Sequence, residues 1–240
     1  MGYCTLSQVL ARGAFLLYKG VLRVAGYRIV IACSPEEQEI AYRIRSTVYL
    51  EEGYIRAEQA VRGFRDAFEH HSVIWLAWQH GKAVGTIRVT PLQEKQSPVF
   101  AYTGGIEQDL EELLDTGAEI GRFAILPAYR GGLLSTGLLF TAYTWALTHG
   151  YDHLLWGGPV AIYRWLKRFI PGTRLLDVQI QAYAKREMAG YFRKHRRVGV
   201  YIAPLCTVRI GTAVRDLWTR VVRGSMSRHA DMERAISPTR

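Results

Sequence analysis

Glu119 and Arg122 carry opposite charges inside an otherwise apolar, β-prone run, Ala118-Glu119-Ile120-Gly121-Arg122-Phe123-Ala124-Ile125-Leu126-Pro127. The run stops at a proline and is too short for a typical helix, so it reads as a buried strand. Burying a charge without a partner is costly. On a regular strand, residues three apart face opposite sides. Gly121 between them predicts a bulge that turns both toward one cleft and leaves a backbone N–H unpaired. Such a strand offers one substrate a base, a cation and a free amide donor. A structural ion pair is the plainer reading of the same two residues.

The elements around this strand follow from spacing. Residues 1–24 read as an amphipathic helix, with Leu6, Val9, Leu10, Phe15, Leu16 and Leu17 interrupted by Arg12 and Lys19. That pattern is too short and too charged to span a membrane, and no small-residue cleavage site is evident. Tyr27–Ala32 is a first strand. Ser34-Pro35-Glu36-Glu37 is a strong helix start, with a capping serine, a proline at the first position and a glutamate at the third. The helix runs to about Glu51 and ends at Gly53. Arg45, Tyr49 and Glu52 share one of its faces.

Tyr54–Phe68 is less regular and includes Arg56, Arg62, Arg65 and Asp66, with a short helix. Val73–Trp78, a His80-Gly81 turn and Lys82–Thr90 form a hairpin, with Thr86, Arg88 and Thr90 on one face. A loop is expected over 93–106 and a short acidic helix over Ile106–Leu114. Beyond the central strand come Arg130-Gly131-Gly132 and a long apolar helix, Leu133–His149. A strand at Tyr151–Trp156 and a helix at Val160–Phe169 follow. The order predicts an α/β domain with a mixed central sheet flanked by helices, over residues 25–210. Tyr201–Val208 is a last strand, and residues 211–240 hold a helix at 213–222 and a polar tail from Arg223.

The 240 residues carry a net charge of +10, which calls for an acidic partner. Lys185, Arg186, Arg193, Lys194, Arg196 and Arg197 concentrate it around Tyr183, Tyr191 and Phe192. Three distant cysteines with no C-x-x-C fit a reducing cytoplasm and argue against a zinc site. His149 and His153 lack the helix-borne context of a metal pair, and no metal is expected.

Several spaced pieces together resemble the autoinducer (acyl-homoserine-lactone) synthases and the long-chain N-acyl amino acid synthases, bacterial members of the GNAT acyltransferase superfamily. They are Arg45-x-x-Val48-Tyr49 with Glu52-Gly53-Tyr54, Asp66-Ala67-Phe68-Glu69, Gly85-Thr86-Ile87-Arg88-Val89, and Glu119-Ile120-Gly121-Arg122-Phe123-Ala124-Ile125. The resemblance spans about residues 35–165 and implies a GNAT-like fold and an acyltransferase. Two departures bear on the subfamily. Autoinducer synthases carry a tryptophan where this chain has Ile55 or a neighbour, and an aspartate where it has Glu69. The tryptophan lies near the family's adenosylmethionine site, and the acyl amino acid synthases do not need that substrate, so the departures favour them. A third concerns the donor. Members that use coenzyme A place glycines three and five residues after a leading Gln or Arg, to hold a pyrophosphate. After Arg130 those places hold Leu133 and Ser135, and Gly131-Gly132 falls early. This favours the acyl-phosphopantetheine of acyl carrier protein, an acidic partner, over acyl-CoA, with no tightly bound cofactor.

The expected reaction is attack of an amino acid's amine on the carrier thioester. Glu119 would be the base, and an opened amide near Phe123 or Ala124 would hold the developing oxyanion. Arg45 and Arg122, beside Tyr49, would clamp the carboxylate. Asp66 and Glu69 would hold the ammonium or orient Arg45 and Arg88. The resemblance puts Tyr163 where many GNAT enzymes keep the acid that protonates the leaving thiolate. Arg130, Gly131 and Gly132 would meet the donor. The same residues leave room for an adenosylmethionine-dependent autoinducer synthase and for a coenzyme A-dependent N-acyltransferase. A non-enzymatic basic module for nucleic acid or anionic membrane is the reading from another class. On the favoured one no nucleic acid is expected, while an acylated product is compatible with peripheral membrane contact.

Overall fold

In the computed structural model, residues 2–205 are described except 62, 94–95, 105–115, 168–169 and 171, with side chains from residue 13 onward except 165 and 187. The first element is helix α1 (Gly2–Val24), then strand β1 (Tyr27–Ile31). Helix α2 (Pro35–Glu51) starts on a complete capping box. The Glu37 N–H donates to Ser34 Oγ, and Glu37 returns its carboxylate to the Ser34 N–H. Such a cap is worth about 1 kcal/mol. Beyond the helix end, Gly53 sits at φ +68°. A short helix, α3 (Ala57–Ala60), and a turn at Glu69–His71 lead to the hairpin β2 (Val73–Gln79) and β3 (Lys82–Pro91).

The chain then makes helix α4 (Pro98–Tyr102) and strand β4 (Thr103–Gly104), where a loop was expected over 93–106. The reason is local. Pro98 follows Ser97 at a helix start, but a five-residue element shows no periodicity to read. Strand β5 (Gly117–Ile125) is the charged strand. Helix α5 (Leu133–Thr148), strand β6 (His153–Pro159) and helix α6 (Val160–Leu166) follow as expected, with α6 ending before Phe169. The stretch read only as basic contains strands β7 (Arg174–Leu176) and β8 (Gln179–Ile180) and helices α7 (Ala182–Glu187) and α8 (Ala189–Lys194). The last strand, β9 (Val198–Pro204), begins three residues earlier than expected. The expected acidic helix at 106–114, the strand's end at 208, the helix at 213–222 and the tail lie outside the described residues.

Among the described residues the main sheet has seven strands in the order β1-β2-β3-β5-β6-β9-β7, and β4 pairs with β8 separately. It is mixed: only β5 and β6 run parallel. Alternation on β3 sorts its two faces. Ile87 and Val89 join Leu134, Leu138 and Ala142 of α5 in one core, while Arg88 points to the other face. There α2 packs Ala41, Ile44 and Val48 on Ile74, Leu76 and Ala124.

Two irregularities in β5 create space. Its parallel pairing with β6 covers only Gly117–Glu119 against His153–Leu155, after which the strands part. On its other side, Arg88 pairs with Gly121 and Thr86 with Ala124, so Arg122 and Phe123 together face Ile87 alone. The bulge therefore sits one residue beyond Gly121, the position the sequence suggested. Arg122 itself takes φ +53°, a conformation costing about 1–3 kcal/mol for a non-glycine residue. Asp66 and the Phe64 ring hold the side chain of this bulged residue. Among the described residues no helix is long and apolar enough to cross a membrane.

Candidate active site

Three arginines and two carboxylates meet beneath the bulge. Glu69 Oε1 accepts from Arg45 Nη1 at 2.6 Å and from Arg88 Nη1 at 2.8 Å. Asp66 Oδ1 accepts from Arg88 Nη1 at 2.7 Å and from the Phe68 N–H at 2.9 Å. Asp66 Oδ2 accepts from Arg122 Nε at 2.9 Å and from Arg122 Nη2. Burial pushes the Asp66 carboxyl up, but the Arg122 and Arg88 guanidiniums outweigh it and hold it well below the carboxylate range. Burial likewise works against the Arg122 cation, and Asp66 keeps it charged. Glu69 Oε2, Arg45 Nε and Nη2, and Arg88 Nε and Nη2 have no protein partner among the described residues.

Glu119 stands where β5 leaves β6 and is 5% exposed. Its Oε2 accepts the Val99 N–H of α4 at 2.9 Å. Burial pushes its carboxyl up, opposed by the Val99 amide and by Arg88. A carboxyl whose burial raises its affinity for a proton, facing a cleft, is suited to act as a general base.

Both groups open into one cavity of about 830 Å³ that follows the β5–β6 splay, near the upper end for small-molecule sites. Its walls are mostly apolar and include Phe123, Leu139, Phe140, Trp156 and Ile162. At one side Arg130 Nε donates to Ile125 O at 3.0 Å, and Arg130 and Lys194 both pair with Glu52. Among the described residues no cluster of His, Cys, Asp and Glu could hold a metal.

Residues 40–157 match the family described as FeeM, N-acyl amino acid synthase. The chain is an acyltransferase of GNAT-like fold, similar over those residues to the N-acyl amino acid synthases. FeeM itself, an N-acyl amino acid synthase from uncultured soil microbes, superposes with a TM-score of 0.56 at 16% identity, over 75% of this chain and 91% of FeeM. MesI, a CoA-dependent acyl-homoserine lactone synthase, gives 0.53 at 16% identity, over 80% of this chain and 94% of MesI. A candidate N-acetyltransferase of Lactobacillus plantarum gives 0.52 at 21% identity, over 75% and 99% of the two chains. These likenesses show a shared fold. No curated protein matches the chain in sequence.

In this acyltransferase Glu119, Arg122, Phe123, Ala124, Tyr49, Arg88 and Arg130 all line the cavity. Asp66, Glu69 and Arg45 stand behind that lining. Arg45 is fully buried against Glu69 and over the Tyr42 ring, so it is not presented to the cleft. Gly131 and Gly132 form the turn beyond Arg130 without lining the cavity. Tyr163 also lies off the lining. Its ring stacks on Tyr201 at 4.7 Å and 10°, with Lys167 Nζ 5.5 Å from its centroid.

Sequence reasoning missed three residues of the acyltransferase's cavity wall. Tyr54 and His195 share a hydrogen bond at 2.8 Å, and Tyr191 packs edge-on to Tyr54 at 5.0 Å. All three line the cavity. Burial keeps the Tyr191 phenol protonated and lowers the His195 imidazole. They are brought in by Gly190, where a Cβ would fall 1.9 Å from Gly53 O. The aromatic residues interleaved with the basic cluster were the available signal. Val99 was missed as well, because it acts through its backbone.

Proposed function

We propose that the acyltransferase moves a long-chain acyl group from the phosphopantetheine of acyl carrier protein to the amine of an amino acid. The products are an N-acyl amino acid and a free thiol. One observation carries the reading: a buried carboxyl with a raised pKa and a buried guanidinium open together into a large, mainly apolar cavity.

The amino acid's carboxylate binds Arg122, whose Nε and Nη2 are fixed by Asp66, together with Arg88, which has spare donors. Arg45 positions Glu69 rather than touching the substrate. Glu119 takes a proton from the ammonium, directly or through a water. The freed amine attacks the thioester carbon. In a two-against-one bulge the extra residue lies outside the ladder, so an amide of the Arg122–Phe123 step can bond the oxyanion, as Phe123 or Ala124 was expected to do. The C–S bond then breaks. The nitrogen's second proton passes to the thiolate through a phenol of the cavity wall; in this reading Tyr191 takes that role, because Tyr163 lies off the lining.

Acyl carrier protein is favoured as donor because Leu133 and Ser135, in the first turn of α5, occupy the places of the two glycines that would hold a pyrophosphate, and because Glu52 neutralises Arg130 beside them. Coenzyme A remains a second donor to test, since Gly132 is the N-cap of α5 and a helix N-terminus favours an anionic group. The Glu119→Gln variant tests the base. Turnover should fall by roughly 10²–10⁴-fold, and the wild-type kcat–pH profile should rise through a midpoint above the usual carboxylate value. Full activity in a folded Glu119→Gln enzyme would remove Glu119 from the mechanism.

A further inference from the structure

Helix α1 precedes the stretch that matches the synthase family, yet Ala14, Leu17 and Tyr18 line the same cavity as Glu119 and Arg122. The helix is seated firmly. Tyr18 Oη donates to Leu133 O at 2.6 Å. A Cβ at Gly137 would meet Leu22 Cδ1 at 2.9 Å and Tyr18 Cε1 at 3.2 Å, so that glycine lets α1 lie close on α5. Phe15 and Tyr18 both pack edge-on to Phe140, at 5.9 and 5.8 Å.

The cavity tracks α5 toward this contact. Its lining residues there, Ser135, Thr136, Leu139, Phe140 and Tyr143, recur at helical spacing, which is roughly 12 Å of helix at 1.5 Å per residue. Leu17 lines the cavity and is nonetheless 70% exposed, so the wall at α1 is one helix thick. Leu16 is 67% exposed and does not line the cavity.

We propose that α1 is a wall of the acyl-chain pocket, and that Ala14 and Leu17 set the longest acyl chain the enzyme accepts. This rests on the acyl-transfer reading, which supplies the ligand class, a straight saturated hydrocarbon chain. Each buried methylene adds roughly fourfold to affinity. Removing room for two should therefore cost roughly fifteenfold for the longest chain accepted.

The test uses the purified full chain and free saturated fatty acids of graded length, read as a rise in Tm, because a ligand that binds only the folded state stabilises it. This readout needs no turnover, so it separates failure of the pocket assignment from failure of the transfer reading. In the wild type the rise should grow with length to a ceiling. Ala14→Trp should lower that ceiling by about two to four carbons, Leu17→Ala should raise it, and Leu16→Trp should leave it alone. Where Ala14→Trp does not fold, Leu17→Ala decides, since truncating an exposed side chain is tolerated. A ceiling that no α1 variant moves, or a wild type whose Tm ignores fatty acids of every length, would overturn the assignment.

Discussion

Asp66 serves two arginines with one carboxylate, which makes it the residue on which the buried charge balance turns. Its loss leaves Arg122 and part of Arg88 buried without a counter-charge. Asp66→Asn should therefore cost roughly 3–5 kcal/mol, measured by urea unfolding. The sign of the pH effect follows from its depressed carboxyl. The stabilisation is fully present above the unfolded carboxyl value of about 3.9 and is lost as pH falls through the lower folded value. Wild-type stability should drop below about pH 4, and the Asp66→Asn protein should lack that share of the drop. Equal slopes in the two proteins would show that Asp66 is not the group responsible. At this scale Glu119 and Arg122 were legible, because charges inside an apolar strand demand a partner or a purpose. Arg45 was not. Helical spacing gives its face, but only the fold shows it fully buried against Glu69 and off the cavity lining.

The elements divide by length. The capped helix α2, the β2–β3 hairpin and the long α5 were legible, because capping, turn residues and sustained periodicity agree on each. The pieces at 98–104 and 174–194 were not, since two to six residues hold too little pattern and tertiary contacts decide their state. These short pieces nonetheless finish the site: α4 supplies the Val99 amide to Glu119, and α8 lays Tyr191 and His195 against Tyr54. Gly190 is the tight point of that docking. Gly190→Ala places a Cβ against Gly53 O and forces α8 away. Overpacking of this kind costs about 1–3 kcal/mol. We expect a lower Tm together with a several-fold higher KM for the acyl donor. A variant with unchanged Tm and KM would show that α8 does not shape the donor site.

Charge is a property of the whole molecule. The net +10 includes exposed Lys185, Arg186, Arg193, Arg196 and Arg197 on and beside α7 and α8, the second of which lines the cavity. An acidic carrier protein approaching that face would gain mainly in encounter rate, since exposed charges steer association more than they hold it. The double variant Arg196→Glu/Arg197→Glu should raise KM for acyl carrier protein several-fold, leave kcat within about twofold, and reduce the salt dependence of kcat/KM. An unchanged KM would place the carrier elsewhere. The sequence disclosed this charge but not its location relative to the cavity, which depends on α7 and α8.

The central claim is the reaction itself, and mass spectrometry of lipid extracts tests it most directly. Bacteria expressing the wild-type chain would be compared with bacteria expressing Glu119→Gln. The account predicts a series of N-acyl amino acids spaced by two methylenes, present with the wild type and absent or greatly reduced with the variant. Acyl-homoserine lactones in their place, or no new acyl amide at all, would contradict it.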